Sequence, residues 1–151
     1  MKGIQNNILG NLNFMTGSYN NVKGDGTVIE GNNNNAEGNM NSLSGDSNGV
    51  KGNQNILLGN NNIALGDLNQ LMGEFNGVQG NLNSIFGDSN LVYGNNNGVT
   101  GNSNAVQGSS NTVSGNSNGI QGSNNTAKGN NNTAIGNSNG VIGNTNVIVG
   151  S

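Results

Sequence analysis

No proline, cysteine, histidine, tryptophan or arginine occurs in these 151 residues. Without cysteine or histidine there is no disulfide framework, no zinc or thiolate centre, and no thiol or imidazole catalysis. Charge is scarce as well. Seven acids against four lysines leave a net charge of -3, the opposite of the basic balance that a nucleic-acid binder needs. No apolar run approaches the ~20 residues of a membrane-spanning helix. The repeat described next begins at Gly3, leaving no room for a secretion signal, so the expectation is either a chain made without one or a piece of a longer protein.

What the chain has is glycine and asparagine. Such a composition often marks disorder or a low-complexity tract. The register argues otherwise. Glycine falls on every seventh residue from Gly3 to Gly150, 22 times without exception. With glycine as slot one, slot four is Asn in 20 of 21 heptads, Thr27 being the departure. Slot six is always aliphatic or Met, from Ile8, Met15, Val22 and Ile29 through to Ile148. A short period held over the whole length means that one small unit is stacked. Residues 1–151 form a single repeat domain with no linker.

In an extended segment, slots two, four and six share one face, and aliphatic slot six marks that face as inward. Seven is odd, so an uninterrupted strand would swap its faces at each repeat. Each heptad therefore contains a bend. Glycine at slot one tolerates positive φ, which assigns the structural corners to Gly3, Gly10, Gly17, Gly24, Gly31, Gly38, Gly45, Gly52 and their successors. Asn-Gly pairs such as Asn76-Gly77 would place turns at slots four and five, but slot five also holds Val28, Ile56 and Ile63, which reject those angles. One strand and one corner per heptad give an all-β parallel β-solenoid, with stacked Asn side chains satisfying one another.

Two coil sizes fit. Asp25, Asp46, Asp67 and Asp88 recur in slot two once every three heptads, which favours a three-sided coil of that length. A two-sided coil of two heptads instead columns Lys23, Glu37 and Lys51, and stacks Leu58, Met72 and Phe86. The three-sided coil is the expectation. If the four aspartates stack, their oxygens suit Ca²⁺, although the calcium-binding nonapeptide pattern is absent. An Asp standing in for Asn at a corner is the plainer reading, with no metal and no cofactor.

Solenoid sides offer no cleft for a carboxylate pair, so no enzyme and no small-molecule substrate are expected. All aromatics fall in outward slots. Phe14, Tyr19, Leu58, Leu68, Met72, Phe75, Leu82, Phe86 and Tyr93 form the expected lateral interface, since clustered exposed apolar groups mark contact surfaces. The ends lack a polar cap, so Ile4, Ile8, Leu9, Val147, Ile148 and Val149 form an expected end-to-end interface. Head-to-tail contacts that do not close generate filaments. The main functional expectation is thus a structural subunit whose partner is itself, with no nucleic acid and no membrane insertion. Ice binding is a further alternative, because stacked Thr and Asn rows order water. Thr16, Thr27, Thr100, Thr112, Thr126, Thr133 and Thr145 fall in different slots, however, and suggest no continuous column.

The stretch Gly122-Ser-Asn-Asn-Thr-Ala-Lys-Gly129-Asn-Asn-Asn-Thr-Ala-Ile resembles the haemagglutinin-like heptads in the heads of trimeric autotransporter adhesins. That resemblance implies a left-handed parallel β-roll of two heptads per coil. It also implies a trimeric adhesin or spacer module at a bacterial cell surface. No coiled-coil stalk, neck or membrane anchor accompanies the heptads.

Overall fold

A computed structural model describes residues 2–150. Twenty-one strands of three residues follow one another, from β1 (Asn7–Leu9) and β2 (Phe14–Thr16) to β20 (Gly140–Ile142) and β21 (Val147–Val149). Odd-numbered strands make one sheet of 11, and even-numbered strands a second sheet of 10, with every pairing parallel. On the even sheet Leu57 pairs with Leu71, and Leu71 with Ile85. On the odd sheet Ala64 pairs with Val78, and Val78 with Val92. Partners always lie two heptads apart, so the parallel β-solenoid is two-sided. The expected coil of three heptads is corrected to the alternative of two.

The reason lies in the turn. Each heptad makes two positive-φ departures. Slot-one glycine sits at values such as +121° for Gly59, and slot three sits in the left-handed region, as at Asn61 with φ 58°. A Cβ added to Gly59 would fall inside the carbonyl group of Gly73 in the next coil, so stacking distance as well as φ demands glycine. Two such residues reverse the chain within one heptad, and two heptads close a coil. This also corrects the inward assignment of slot two: Asn11, Asn39 and Asn53 lie exposed on the turns. Slot three contains no Val or Ile, the residues that left-handed backbone penalises most.

Slot six fills the interior from both sides. Met15, Ile29, Leu43, Leu57, Leu71 and Ile85 come from the even sheet. Val22, Ala36, Val50, Ala64, Val78 and Val92 come from the odd sheet, so bulky residues on one side meet smaller ones on the other. Between this file and each turn runs a buried row of slot-four asparagines. The Asn90 backbone N–H and its Nδ2 both donate to Asn76 Oδ1 at 3.0 Å, and Nδ2 also donates to the Gly101 carbonyl at 2.8 Å. Among the described residues no buried side-chain nitrogen or oxygen lacks a partner.

Thr27 is the weak rung. Its hydroxyl reaches the Gly38 carbonyl at only 3.5 Å and offers Asn41 none of the amide acceptor that other rungs supply. Thr27→Asn is expected to raise stability by about 1 kcal/mol. Asn90→Ala orphans groups on both neighbouring coils and is expected to lower stability by about 3–5 kcal/mol. Thermal unfolding followed by circular dichroism checks both. An unchanged Tm for Asn90→Ala would remove the ladder from the account.

Candidate functional site

Slots five and seven point outward from each strand, so each sheet presents two columns. Rungs stand about 4.8 Å apart, and the two columns roughly 6–7 Å apart. The folding pattern that fixes these spacings is the same in every coil. Differences between the faces therefore come from the outward side chains alone.

On the even sheet, no charged side chain points outward between Glu30 and Lys128. Within that stretch the outward residues from β14 (Gly98–Thr100) through β16 (Thr112–Ser114) to Thr126 of β18 (Thr126–Lys128) are small or hydroxylated. Thr100 pairs in register with Ser114, and Thr112 with Thr126. The threonines still form no long column, but the two-heptad step brings Thr112 and Thr126 side by side between Gly98 and Gly140. Threonine suits this position: it is β-branched, and it presents a methyl and a hydroxyl from a stiff χ1. Gly98, which carries no side chain, leaves a gap in the slot-five column between Ser84 and Thr112. Such a surface offers water a rigid, repeated set of methyl and hydroxyl groups.

The odd sheet differs in shape and charge. Ile63 and Leu65, then Leu91 and Tyr93, then Thr133 and Ile135 stand as ridges. Gly77 and the pair Ala105 and Gly119 form troughs between them. The two resulting open depressions measure about 210 and 370 Å³. Lys23 Nζ donates to Glu37 Oε1 at 3.3 Å, and Lys51 lies 3.6 Å from Glu37 Oε2. The Lys23 hydrogen bond, followed by the charges of Lys51 and Lys23, holds the Glu37 carboxyl below its ordinary value of 4.5.

The slot-two residues form an outer ladder along each edge. Asn53 N–H donates to Asp67 Oδ1 at 2.7 Å, and Asp67 N–H donates to Asn81 Oδ1 at 2.7 Å. Because three heptads make one and a half coils, Asp25 and Asp67 share one edge, and Asp46 and Asp88 share the other. Asn39 and Asn53 separate the first pair, with Asp25 N–H donating to Asn39 Oδ1 at 2.8 Å. The four carboxylates form no stack, and among the described residues no cluster of three acids could hold a metal ion.

The apolar residues read as one lateral interface are distributed around the solenoid. Phe14, Leu58, Met72 and Phe86 lie on the even sheet, with Leu58, Met72 and Phe86 in consecutive register. Tyr93 lies on the odd sheet. Leu68 and Leu82 lie on one edge, and Tyr19 and Phe75 on the other, all four at left-handed turn positions. Gly3 through Gly52 occupy the turns as slot-one glycines. At the first and last rungs, Ile8 and Ile148 pack partly buried against the core, while Ile4, Leu9, Val147 and Val149 are exposed.

Residues 59–150 match the family described as the grass antifreeze beta roll. Neither the curated proteins nor the solved structures give a significant match. The family match replaces the trimeric autotransporter reading. The Gly122–Ile135 heptads that suggested an adhesin head lie wholly inside the matched segment, and a degenerate Gly-Asn heptad does not separate one roll from the other.

Glu37 gives the charged column a pH dependence. A carboxyl with a lowered folded pKa contributes stability that is present above its unfolded value of 4.5 and is lost as pH falls through the folded one. The Tm of Glu37→Gln is expected to fall slightly below that of the unsubstituted protein near neutral pH. The gap is expected to close as pH falls below 4.5 and through the lowered folded pKa. A gap that persists in acid would assign the effect to something other than this charge.

Proposed function

We propose that this chain, which belongs to the grass antifreeze beta-roll family, binds ice through the hydroxylated stretch of its even sheet. The observation that carries the assignment is the register of Thr100 with Ser114 and of Thr112 with Thr126, a hydroxylated stretch bordered at one end by Lys128, which pairs with Ser114. Ice recognition needs many weak contacts made at once to a flat lattice. A surface whose rungs are locked in place loses little conformational entropy when its hydroxyls meet ordered water. Methyl groups beside those hydroxyls release loosely held water as the face docks. The odd sheet suits this less well, since its ridges and troughs break the plane and Lys23, Glu37 and Lys51 hold hydration water.

A second reading keeps the main expectation from the sequence, a self-assembling subunit with lateral apolar contacts. Its support is the outward column of Leu58, Met72 and Phe86, with Leu58 and Phe86 exposed, Met72 half-buried and exposed Ile56 beside it. Electron microscopy of concentrated protein would reveal filaments under that reading and dispersed particles under the ice-binding one.

Thermal hysteresis and ice-recrystallisation assays test the first reading. Thr112→Tyr raises a bulky ring from the even sheet and is expected to remove most of the activity while leaving the circular dichroism spectrum intact. Asn21→Tyr places the same ring on the odd sheet and is expected to leave the activity near its original level. Inactive unsubstituted protein overturns ice binding. Loss in Asn21→Tyr with retention in Thr112→Tyr moves the site to the other face.

A further inference from the structure

The odd sheet is built to fit itself. Its slot-five column runs Gly49, Ile63, Gly77, Leu91, Ala105, Gly119 and Thr133, so bulky residues alternate with small ones from Gly49 to Ala105, and Gly119 widens the last trough. We propose that two copies pack odd sheet against odd sheet with their solenoid axes antiparallel. The two-fold axis runs parallel to the strands, in the plane of contact, and passes between the rungs of Gly77 and Leu91.

Such a two-fold reverses the solenoid axis but keeps the strand direction, so slot five faces slot five and slot seven faces slot seven. Leu91 then stands over Gly77 of the second copy, and Ile63 over its Ala105. Tyr93 lies beside the second copy's Gln79, and Leu65 beside its Gln107. Leu91 and Ile63 of each copy thus enter the two depressions of the other, and the symmetry repeats each contact. No like charges meet in this register, and Glu37 keeps its ion pairs with Lys23 and Lys51 of its own copy. Lys23, Glu37 and Lys51 face Val149, Ile135 and Gln121 of the second copy, none of which is charged. A two-fold along the solenoid axis instead sets each rung against its own copy. That arrangement puts ridge on ridge, with Tyr93 meeting Leu91, and brings Lys23 and Lys51 near their own copies.

Area sets the strength. The overlapping face is roughly 50 Å long and 10 Å wide, so about 1,000 Å² is covered in all. That is less than the ~1,200–2,000 Å² of a stable interface. The dimer is accordingly weak, of the transient class. Its functional consequence rests on the ice-binding reading: the two even sheets would face outward on opposite sides, giving one particle two ice-binding faces.

Sedimentation equilibrium over a concentration series tests the dimer without ice, so its failure and that of ice binding are separable. The unsubstituted protein is expected to pass from monomer to dimer over that range. Ala105→Arg, which fills a trough from an exposed position, is expected to weaken association at least about tenfold, the scale of losing one buried contact. Orientation is read by oxidative cross-linking. A mixture of Ile63→Cys and Ala105→Cys chains is expected to form covalent dimers faster than Ile63→Cys alone. Monomers at millimolar concentration, an Ala105→Arg chain that associates normally, or faster cross-linking of Ile63→Cys with itself would each overturn the proposal.

Discussion

The buried asparagine at slot four is the interaction on which the rest of the protein depends. A three-residue strand is too short to hold its place in a sheet through backbone pairing alone. The interior contributes only one apolar side chain per heptad. The asparagine amide adds a second set of hydrogen bonds along the solenoid axis, joining each coil to the next through an Asn carbonyl and a glycine carbonyl. Asn97, for example, takes Asn83 Oδ1 as acceptor for both its donors and gives its Nδ2 to the Gly108 carbonyl at 2.8 Å. Because an unpaired amide in this position would be costly, the coils have one spacing and one register.

The proposed function draws on that rigidity and not on a pocket. A ladder that fixes every rung also fixes the outward residues, and evolution can then vary slots five and seven without disturbing the interior. The two faces illustrate the result. The even sheet places Thr100, Thr112, Ser114 and Thr126 on a plane, while the odd sheet alternates Tyr93 and Ile135 with Gly77 and Gly119. One backbone therefore carries a hydroxylated stretch on one face and a corrugated surface on the other. The edges add a third register, the slot-two ladder, which explains why Asn, Ser and Asp exchange there: each supplies an acceptor to the previous coil.

The period, the solenoid and the asparagine ladder were legible from the chain because they depend on residue identity at a fixed slot. The coil size was not. It depends on slot three adopting left-handed backbone, and Leu68, Phe75 and Leu82 disguise that requirement by standing where Asn or Ser would have signalled it. The absence of Val and Ile from the slot was the available clue. Missing the second turn also hid the face, since Thr112 and Thr126 share a column only when every second heptad closes a coil. The carboxylates misled for a related reason: Asp46 and Asp67 are three heptads apart but stand on opposite edges. The adhesin resemblance rested on a heptad that the ladder itself demands, and so carried little beyond the fold.

Nuclear magnetic resonance of the side-chain amides tests the central claim most directly. The Nδ2 protons of Asn69, Asn83 and Asn97 should exchange slowly with solvent, and each should show close contacts to the asparagine two heptads away. Fast exchange matching that of the exposed Asn131, or contacts across three heptads instead, would contradict the ladder and the two-sided coil built upon it.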